Sequence, residues 1–562
     1  MAIHNQGYST EFVKNFSYYQ ALENNNVYEV SVQKNNINSK NDTIKKKVIS
    51  NEVHLTDYKQ LRIKNNGKKA KIVKNLYTTQ PAVGYVFRGI SNKKVLDNVL
   101  DILDRLDAKA TFFVTGKEIL KYPENVREIV KRGHQIGNGG YGMNVTNPSQ
   151  LDFNDLCYEI EMGRKCLKDF LGDSYKDEIN GYYMPLYADV NETVLEAASA
   201  LGYKEVVIYN KNPIKKEYRD LSADEIISAY FSNTISLHRG DIVYIRLDYL
   251  TKLGATEELV EKIANLYIKP SNYEITSVNN LIKSDLVYEP TSRSDAIDAD
   301  LVKNTHNLTD EYLMNMIYER YIGNQSIDSA ERLIGFTEEE IQKIDKAGKI
   351  DTKGEKVIFL TFDDWGSDET VVRLLNVLDK YDVKATFFVR VGNDSLTVQD
   401  DMGNPNLLRA IALKGHDIGS HTFAHFKIDI KTEEEQKQLR EDIVAAHREM
   451  ARYIGDTGAL KLFFRPPTLA VSKLGLETIF DCGYQYIING DFSTHDYEAE
   501  SAQELIDKLI NGIGKRSISE GSIVVMHMSD TSKFTAEALD VVIPYYKSKG
   551  YSFKKLSDYL KY

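Results

Sequence analysis

The sequence predicts an α/β protein that carries two copies of one parallel-stranded domain. Three observations predict it. From about residue 76 onward, short apolar runs alternate with segments of helical period, the pattern of strands joined by crossover helices. Stretches from the first half of that region recur in the second. In the later copy, ionisable residues follow directly on apolar runs, so they fall at the C-terminal ends of strands, the face on which parallel α/β folds build their sites.

Residues 1–75 read differently. The segment is rich in Asn and Lys, with a disordered or tag-like lead expected to about residue 25 and a small β-rich element after it. Asn66-Gly67, set between Leu61-Arg62-Ile63 and Lys71-Ile72-Val73, predicts a hairpin turn. Lys45, Lys46, Lys47, Lys64, Lys68, Lys69, Lys71 and Lys74 make the segment locally basic, either as a solvated face or as an attractor for an anionic polymer.

The repeat organises the rest. Lys109-Ala110-Thr111-Phe112-Phe113-Val114 matches Lys384-Ala385-Thr386-Phe387-Phe388-Val389. Gly133-His134-Gln135-Ile136-Gly137 matches Gly415-His416-Asp417-Ile418-Gly419, and Gly240-Asp241-Ile242-Val243 matches Gly521-Ser522-Ile523-Val524. The copies are expected at 76–285 and 350–562. Between them, 286–349 reads as a helical connector, with Thr309 opening one helix and a Thr337/Glu340 capping box opening another that stops at Gly348.

Composition excludes several classes. A chain of 562 residues needs two or three cores. The net charge of -11 argues against the broad basic face that nucleic acid requires. Three cysteines, Cys157, Cys166 and Cys482, are too few and scattered for a disulfide framework or a thiolate metal site. No run of 18 apolar residues occurs and the start is polar, so neither a membrane span nor a signal peptide is read.

The second copy holds the chemistry. Val357-Ile358-Phe359-Leu360 leads into Thr361-Phe362-Asp363-Asp364, and adjacent strand residues point to opposite faces, so the two acids can hold different jobs. His421 and His425 are four apart, which on a helical turn puts both imidazoles on one face. Two His and a carboxylate make a common divalent-metal set with positions left for water and substrate. Either piece alone is as readily a turn or a surface pair. Three further pieces strengthen them: Phe463-Phe464-Arg465-Pro466-Pro467, Asp491 and Asp496-Tyr497 after the strand ending at Ile488, and Ile523-Val524-Val525-Met526-His527.

These runs, in this order, resemble the motifs of the polysaccharide deacetylases of the NodB-homology type, carbohydrate esterase family 4. The resemblance covers about 350–562 and implies a deformed (β/α) barrel, so two tandem NodB-like barrels are expected. It implies one divalent ion, zinc first with cobalt, nickel or manganese as substitutes, held by Asp364, His421 and His425. It further implies Asp363 as general base, Arg465 as the group that orients it, His527 as general acid, Asp496 as the carboxylate tuning that His, and the Thr468 N–H as oxyanion donor. The implied activity is hydrolysis of N-acetyl groups on a polysaccharide, with peptidoglycan amino sugars as first expectation and an O-acetyl, xylan-type esterase or a non-catalytic wall-binding protein as alternatives. An exported, wall-facing protein follows, its leader or anchor outside this chain, with the cytoplasm as alternative. The basic N-terminal segment would then meet a wall polymer.

Two departures stand out. Trp365-Gly366 replaces the Gly-Pro that usually follows the paired acids, and Tyr497 replaces the usual Trp; Trp365 could stack on a sugar or pack beside the site. The first copy departs throughout. Arg88 and Gly89 stand for the paired acids, Gly139 and Met143 for the histidines, Met184 for the Arg and Arg246 for the acid His, so an inactive copy is expected. His134, His416 and His447 read as structural.

Overall fold

The computed structural model describes residues 57–142, 147–231, 237–298, 308–324, 333–344, 346–392 and 404–562. It forms two compact units: one spans Gln80–Lys269 and Tyr273–Val287 with the segment before Leu76, the other Tyr288–Tyr562 with Tyr77–Thr79 and Pro270–Asn272. Among the described residues no helix is long and apolar enough to cross a membrane.

In the first unit the strands are β1 (Lys71–Val73), β2 (Ala82–Arg88), β3 (Thr111–Val114), β4 (Gln135–Asn138), β5 (Glu205–Val207), β6 (Ile242–Arg246) and β7 (Glu274–Thr276). In the second they are β8 (Tyr321–Ile322), β9 (Val357–Asp364), β10 (Thr386–Val389), β11 (Asp417–Ser420), β12 (Leu460–Phe464), β13 (Tyr486–Ile488), β14 (Phe492–Ser493), β15 (Ile523–His527) and β16 (Ser552–Phe553). The second sheet runs β14-β15-β9-β10-β11-β12-β13-β8, with β16 added against β9. Its strand pairings are parallel. The implied barrel is an open arrangement among the described residues, with β14 and β8 at the two ends of the path. The α/β class with parallel sheets stands. Phe359, Phe388, Phe463, Ile488 and Ile523, from β9, β10, β12, β13 and β15, form one buried cluster, so the inner face of this sheet is a packed core.

The first unit repeats this order. Its sheet runs β4-β3-β2-β6 with β7 on β2, and bridges through Tyr183 continue it from Asn138 to β5, which pairs with β1. β1 thus occupies the place that β8 holds in the second unit. A helix precedes each, Tyr58–Asn65 and Asp310–Arg320. The repeat therefore begins earlier than the sequence suggested, and the boundaries near 75 and 350 fall inside the units. Edge strands of two or three residues carry too little pattern to be read.

The expected hairpin is corrected by the same segment. Asp57 caps the helix Tyr58–Asn65 by accepting from the Gln60 N–H, and Asn66 at φ 52° ends it. Asn and Gly tolerate the positive φ that both a hairpin turn and a helix stop need, and here the stop uses it. β1 then pairs parallel with β5 rather than back on Leu61-Arg62-Ile63. Residues 1–56, with Lys45, Lys46 and Lys47, lie outside the described residues.

The Gly-His-x-Ile-Gly repeat has a structural cause. His134 Nδ1 accepts the Ala110 N–H at 3.2 Å and His416 Nδ1 accepts the Ala385 N–H at 3.1 Å. Burial holds both imidazoles neutral, His134 down to about 4 and His416 to about 3.

Candidate metal centre

Two adjacent parallel strands, β9 and β15, deliver the acids and His527. In register, Asp363 lies between Phe388 of β10 and His527 of β15. Asp364 sits at φ 73°, a left-handed conformation rare outside Gly, Asn and Asp. That bend breaks the strand's alternation, so the second acid turns into the loop region while Asp363 stays 2% exposed in the sheet.

His421 follows β11 directly, its N–H bonded to the Val389 carbonyl at 3.0 Å. The helical turn expected for His421 to His425 is not formed. Instead Thr422 at φ 71° and His425 at φ 58° make an irregular loop. The Asp442 carboxylate, on the helix Glu433–Ile454, ties this loop down by accepting the Phe423 N–H at 2.7 Å and the Ala424 N–H at 3.0 Å. The Phe426 N–H closes on Thr422 Oγ1 at 2.9 Å. The loop still brings the imidazoles together, with ring centroids 5.1 Å apart.

Their Nε2 atoms lie 3.7 Å (His421) and 3.5 Å (His425) from Asp364 Oδ1. This is the one such ligand set among the described residues. The residues fit a divalent cation on two observations. Asp364 Oδ1 is buried with no hydrogen-bond partner, which is costly for a carboxylate unless a cation faces it. His421 Nδ1 bonds the Arg465 carbonyl at 2.9 Å, so it carries the ring proton and leaves the Nε2 lone pair toward Asp364. Burial keeps His421 below its usual pKa against the pull of Asp363 and Asp364, which favours the neutral, ligating form. Asp442, which sequence reasoning missed, acts on this set through the loop. Asp442→Ala should weaken metal affinity roughly 10- to 100-fold, read by chelator competition, while an unchanged affinity would show that the loop holds its shape without it.

Arg465 is fully buried. It donates to Asp363 Oδ1 at 2.8 Å, to Thr361 Oγ1 at 2.6 Å and to the Ile488 carbonyl at 2.8 Å, and its guanidinium lies 4.2 Å over the Phe388 ring. The sheet core therefore ends in a charge pair that fixes one oxygen of Asp363. On the other side of β9, His527 Nδ1 donates to Asp496 Oδ1 at 2.7 Å, and Asp496 Oδ2 accepts the His527 N–H and the Thr535 hydroxyl. Burial alone would lower His527, but the Asp496 bond and the charges of Asp496, Asp363 and Asp364 outweigh it and push it up to about 9.

After β12 the chain turns through Pro466 and Pro467 with two non-glycine residues left-handed, Thr468 at φ 57° and Leu469 at φ 57°. Each costs of order 1–3 kcal/mol. The Leu469 N–H closes on the Pro466 carbonyl at 3.0 Å, while the Thr468 N–H has no bond among the described residues and stays open as a donor. Trp365 is half-buried. Gly366 is explained by approach: a Cβ there would lie 2.2 Å from the Met528 carbonyl oxygen, so the loop after β15 presses on the loop after β9. Tyr497, 41% exposed, sets its ring at 90° to His527 with centroids 5.0 Å apart.

Asp491 does not join the site. It precedes β14 and accepts the Ile523 N–H at 2.7 Å and the Ser522 hydroxyl at 2.9 Å, which places it at the start of β15, the opposite end from His527. Burial raises its pKa to about 6.

The first unit aligns bond for bond. The Leu247 N–H meets the Arg88 carbonyl as the Met528 N–H meets that of Asp363; Gly139 and Met184 repeat the backbone bonds of His421 and Arg465. Gly89 at φ 77° repeats Asp364. The spaces, however, are filled. Arg88 donates to the carbonyls of Gly139, Met184 and Pro185, and a Cβ on Gly139 would lie 2.9 Å from its Nη2. A Cβ on Gly89 would lie 2.2 Å from Asp248 Oδ1, itself paired with Arg246. Met143 lies outside the described residues.

The polysaccharide deacetylase family model matches the chain twice, at residues 78–206 and 350–487. The chain is 30% identical over 210 residues to a peptidoglycan-N-acetylglucosamine deacetylase of Bacillus cereus, covering 37% of this chain and 90% of that one. It is 28% identical over 249 residues to the peptidoglycan-N-acetylmuramic acid deacetylase PdaA of Bacillus subtilis, covering 44% and 85%. Against the peptidoglycan-N-acetylglucosamine deacetylase PgdA of Listeria monocytogenes it is 32% identical over 206 residues, 37% of this chain and 39% of that one. The solved structure of Bacillus subtilis PdaA, a family 4 carbohydrate esterase, is 26% identical with a TM-score of 0.33, covering 43% and 97%.

Proposed function

Because the chain belongs to the polysaccharide deacetylase family, we propose that its second unit is a metal-dependent hydrolase that removes N-acetyl groups from peptidoglycan amino sugars, and that its first unit is not catalytic. The observation that carries this is the meeting of Asp364, His421 and His425 beside an Arg-bound Asp363 and an Asp-bound His527. A divalent ion held by the three ligands, zinc first, would supply a Lewis acid and make water a nucleophile near neutral pH. Asp363, held by Arg465 at 2.8 Å, takes the proton of the water that attacks the acetyl carbon. The Thr468 N–H donates to the oxygen on which negative charge develops. His527, protonated at neutral pH and held by Asp496, gives its proton to the nitrogen as the C–N bond breaks, leaving acetate and a free amine. Tyr497 and Trp365 stand at the rim as candidate sugar contacts. The polymer lies outside the cytoplasm, so we assign the working protein to the wall. In the first unit two of the three ligand positions are glycines, Gly89 and Gly139, whose space is filled, and Arg88 stands at the base position beside them, which disfavours a metal by volume and by charge.

The test combines metal analysis with acetate release on peptidoglycan, N-acetylglucosamine oligomers and acetylated xylan. We expect one ion per chain, release from the amino-sugar substrates, and loss of that release on chelation with recovery on re-addition. Release from acetylated xylan alone would replace the amide substrate with an ester. No release from any of the three would remove the reading.

A further inference from the structure

We propose that the first unit is a metal-free binding site for the same N-acetylated polysaccharide, with Tyr187 as its stacking platform and Arg246 and Asp248 as its polar pair. The proposal rests on the substrate class assigned to the second unit. The motivating observation is strain kept without chemistry. Tyr187 at φ 59° and Ala188 at φ 53° repeat the left-handed pair Thr468 and Leu469, and the Ala188 N–H closes on the Pro185 carbonyl at 3.2 Å as Leu469 does on Pro466. Neither residue is glycine, and adjacent non-glycine residues hold this conformation only where the surroundings impose it, as at the matching turn of the second unit. Like Thr468, Tyr187 leaves its N–H without a backbone bond among the described residues. The turn that would face an acetyl group is thus intact in a unit that has lost its ligands.

What has changed is the surface the turn presents. Tyr187 is 58% exposed, so its ring is open to a ligand at the C-terminal end of the sheet, as Tyr497 is at 41% in the second unit. Arg246 stands at the register position of His527, paired across β2 with Arg88, and its side chain is still 36% exposed although Nε donates to Asp248 Oδ1 at 2.6 Å. Arg88, its register partner, bonds the Met184 and Pro185 carbonyls and so seats the Tyr187 turn at this strand end, where Tyr244 is braced by Tyr209, stacked at 4.5 Å and 15°. Below them Arg88 seals the floor with its three carbonyl bonds. A flat ring beside a rigid pair that offers both donors and acceptors suits a pyranose, whose face is apolar and whose edge carries hydroxyls and an acetamide. A sealed floor permits binding and no turnover.

The test uses the full chain. Tyr187→Ala should raise KM on insoluble peptidoglycan by up to about tenfold, the size of one lost aromatic contact, with kcat unchanged and with kinetics on a soluble N-acetylglucosamine tetramer unchanged. Tyr187→Phe should restore the wild-type KM. Co-sedimentation of the Tyr187→Ala chain with peptidoglycan sacculi should fall in parallel. Equal KM values for wild type and Tyr187→Ala on the polymer would overturn the proposal, as would an equal rise on polymer and tetramer, which would mean that the turn acts on the fold. If no acetylated glycan is turned over at all, the reading of the second unit fails separately, and the sedimentation comparison still decides this one: no difference between the two chains defeats it.

Discussion

Asp363→Asn is expected to abolish acetate release while the chain keeps its metal. The two acids of β9 are adjacent in sequence, yet the structure gives them separate surroundings. Asp364 faces the imidazoles at 3.5 and 3.7 Å, whereas Asp363 is bonded to Arg465 at 2.8 Å and is not among the three ligand atoms. An amide at 363 preserves volume and can still accept from the guanidinium, but it cannot take a proton from water. The loss should be on the order of 10²- to 10⁴-fold in kcat, the usual worth of a positioned general base. Metal content, measured on the same preparation, should match wild type. The mirror variant Asp364→Asn should lose metal and activity together. If Asp363→Asn retains most of its activity, the base is another group; if it loses its ion, the division of labour between the two acids is wrong.

The parts of this site that were legible in the sequence are those whose chemistry sits in one short run. Asp363-Asp364, Arg465-Pro466-Pro467 and His527 each end an apolar strand, and parallel pairing brings those ends together without further information. The parts that were misread share one cause: a local signal with two structural uses. Asn66-Gly67 offers positive φ, which serves a hairpin or a helix stop. The His421 to His425 spacing suits a helical turn, yet Thr422 and His425 reach the same juxtaposition through left-handed backbone. Asp491 lies near a strand end in sequence but bonds the start of β15. Asp442 was invisible because only tertiary structure brings the helix Glu433–Ile454 against the loop, and one acid on a helix rich in acids carries no mark. The loss of chemistry in the first copy was readable residue by residue, but its cause in volume, Arg88 against Gly139 and Asp248 against Gly89, was not.

Arg465→Met should be the most destabilising single change in the second unit. Arg465 is fully buried and Asp363 nearly so, and removing one partner of such a pair leaves the other charge desolvated and uncompensated. The expected cost is about 3–5 kcal/mol. It can be measured in this unit alone, because the chain holds a single Trp, Trp365, two residues from Asp363, so intrinsic tryptophan fluorescence in a urea titration reports local unfolding there. Met fills much of the same volume over Phe388, so the loss reads charge more than cavity. The double variant Asp363→Ala with Arg465→Met should recover part of that stability, since no charge then remains buried, although both variants are catalytically dead. That pairing separates two explanations. Recovery in the double variant means that the pair is kept for chemistry at a cost in stability. A double variant as unstable as Arg465→Met, or a single variant within about 1 kcal/mol of wild type, would mean that the bonds from Arg465 to Thr361 and the Ile488 carbonyl, and not its charge pair, hold the ends of β9 and β13 in place.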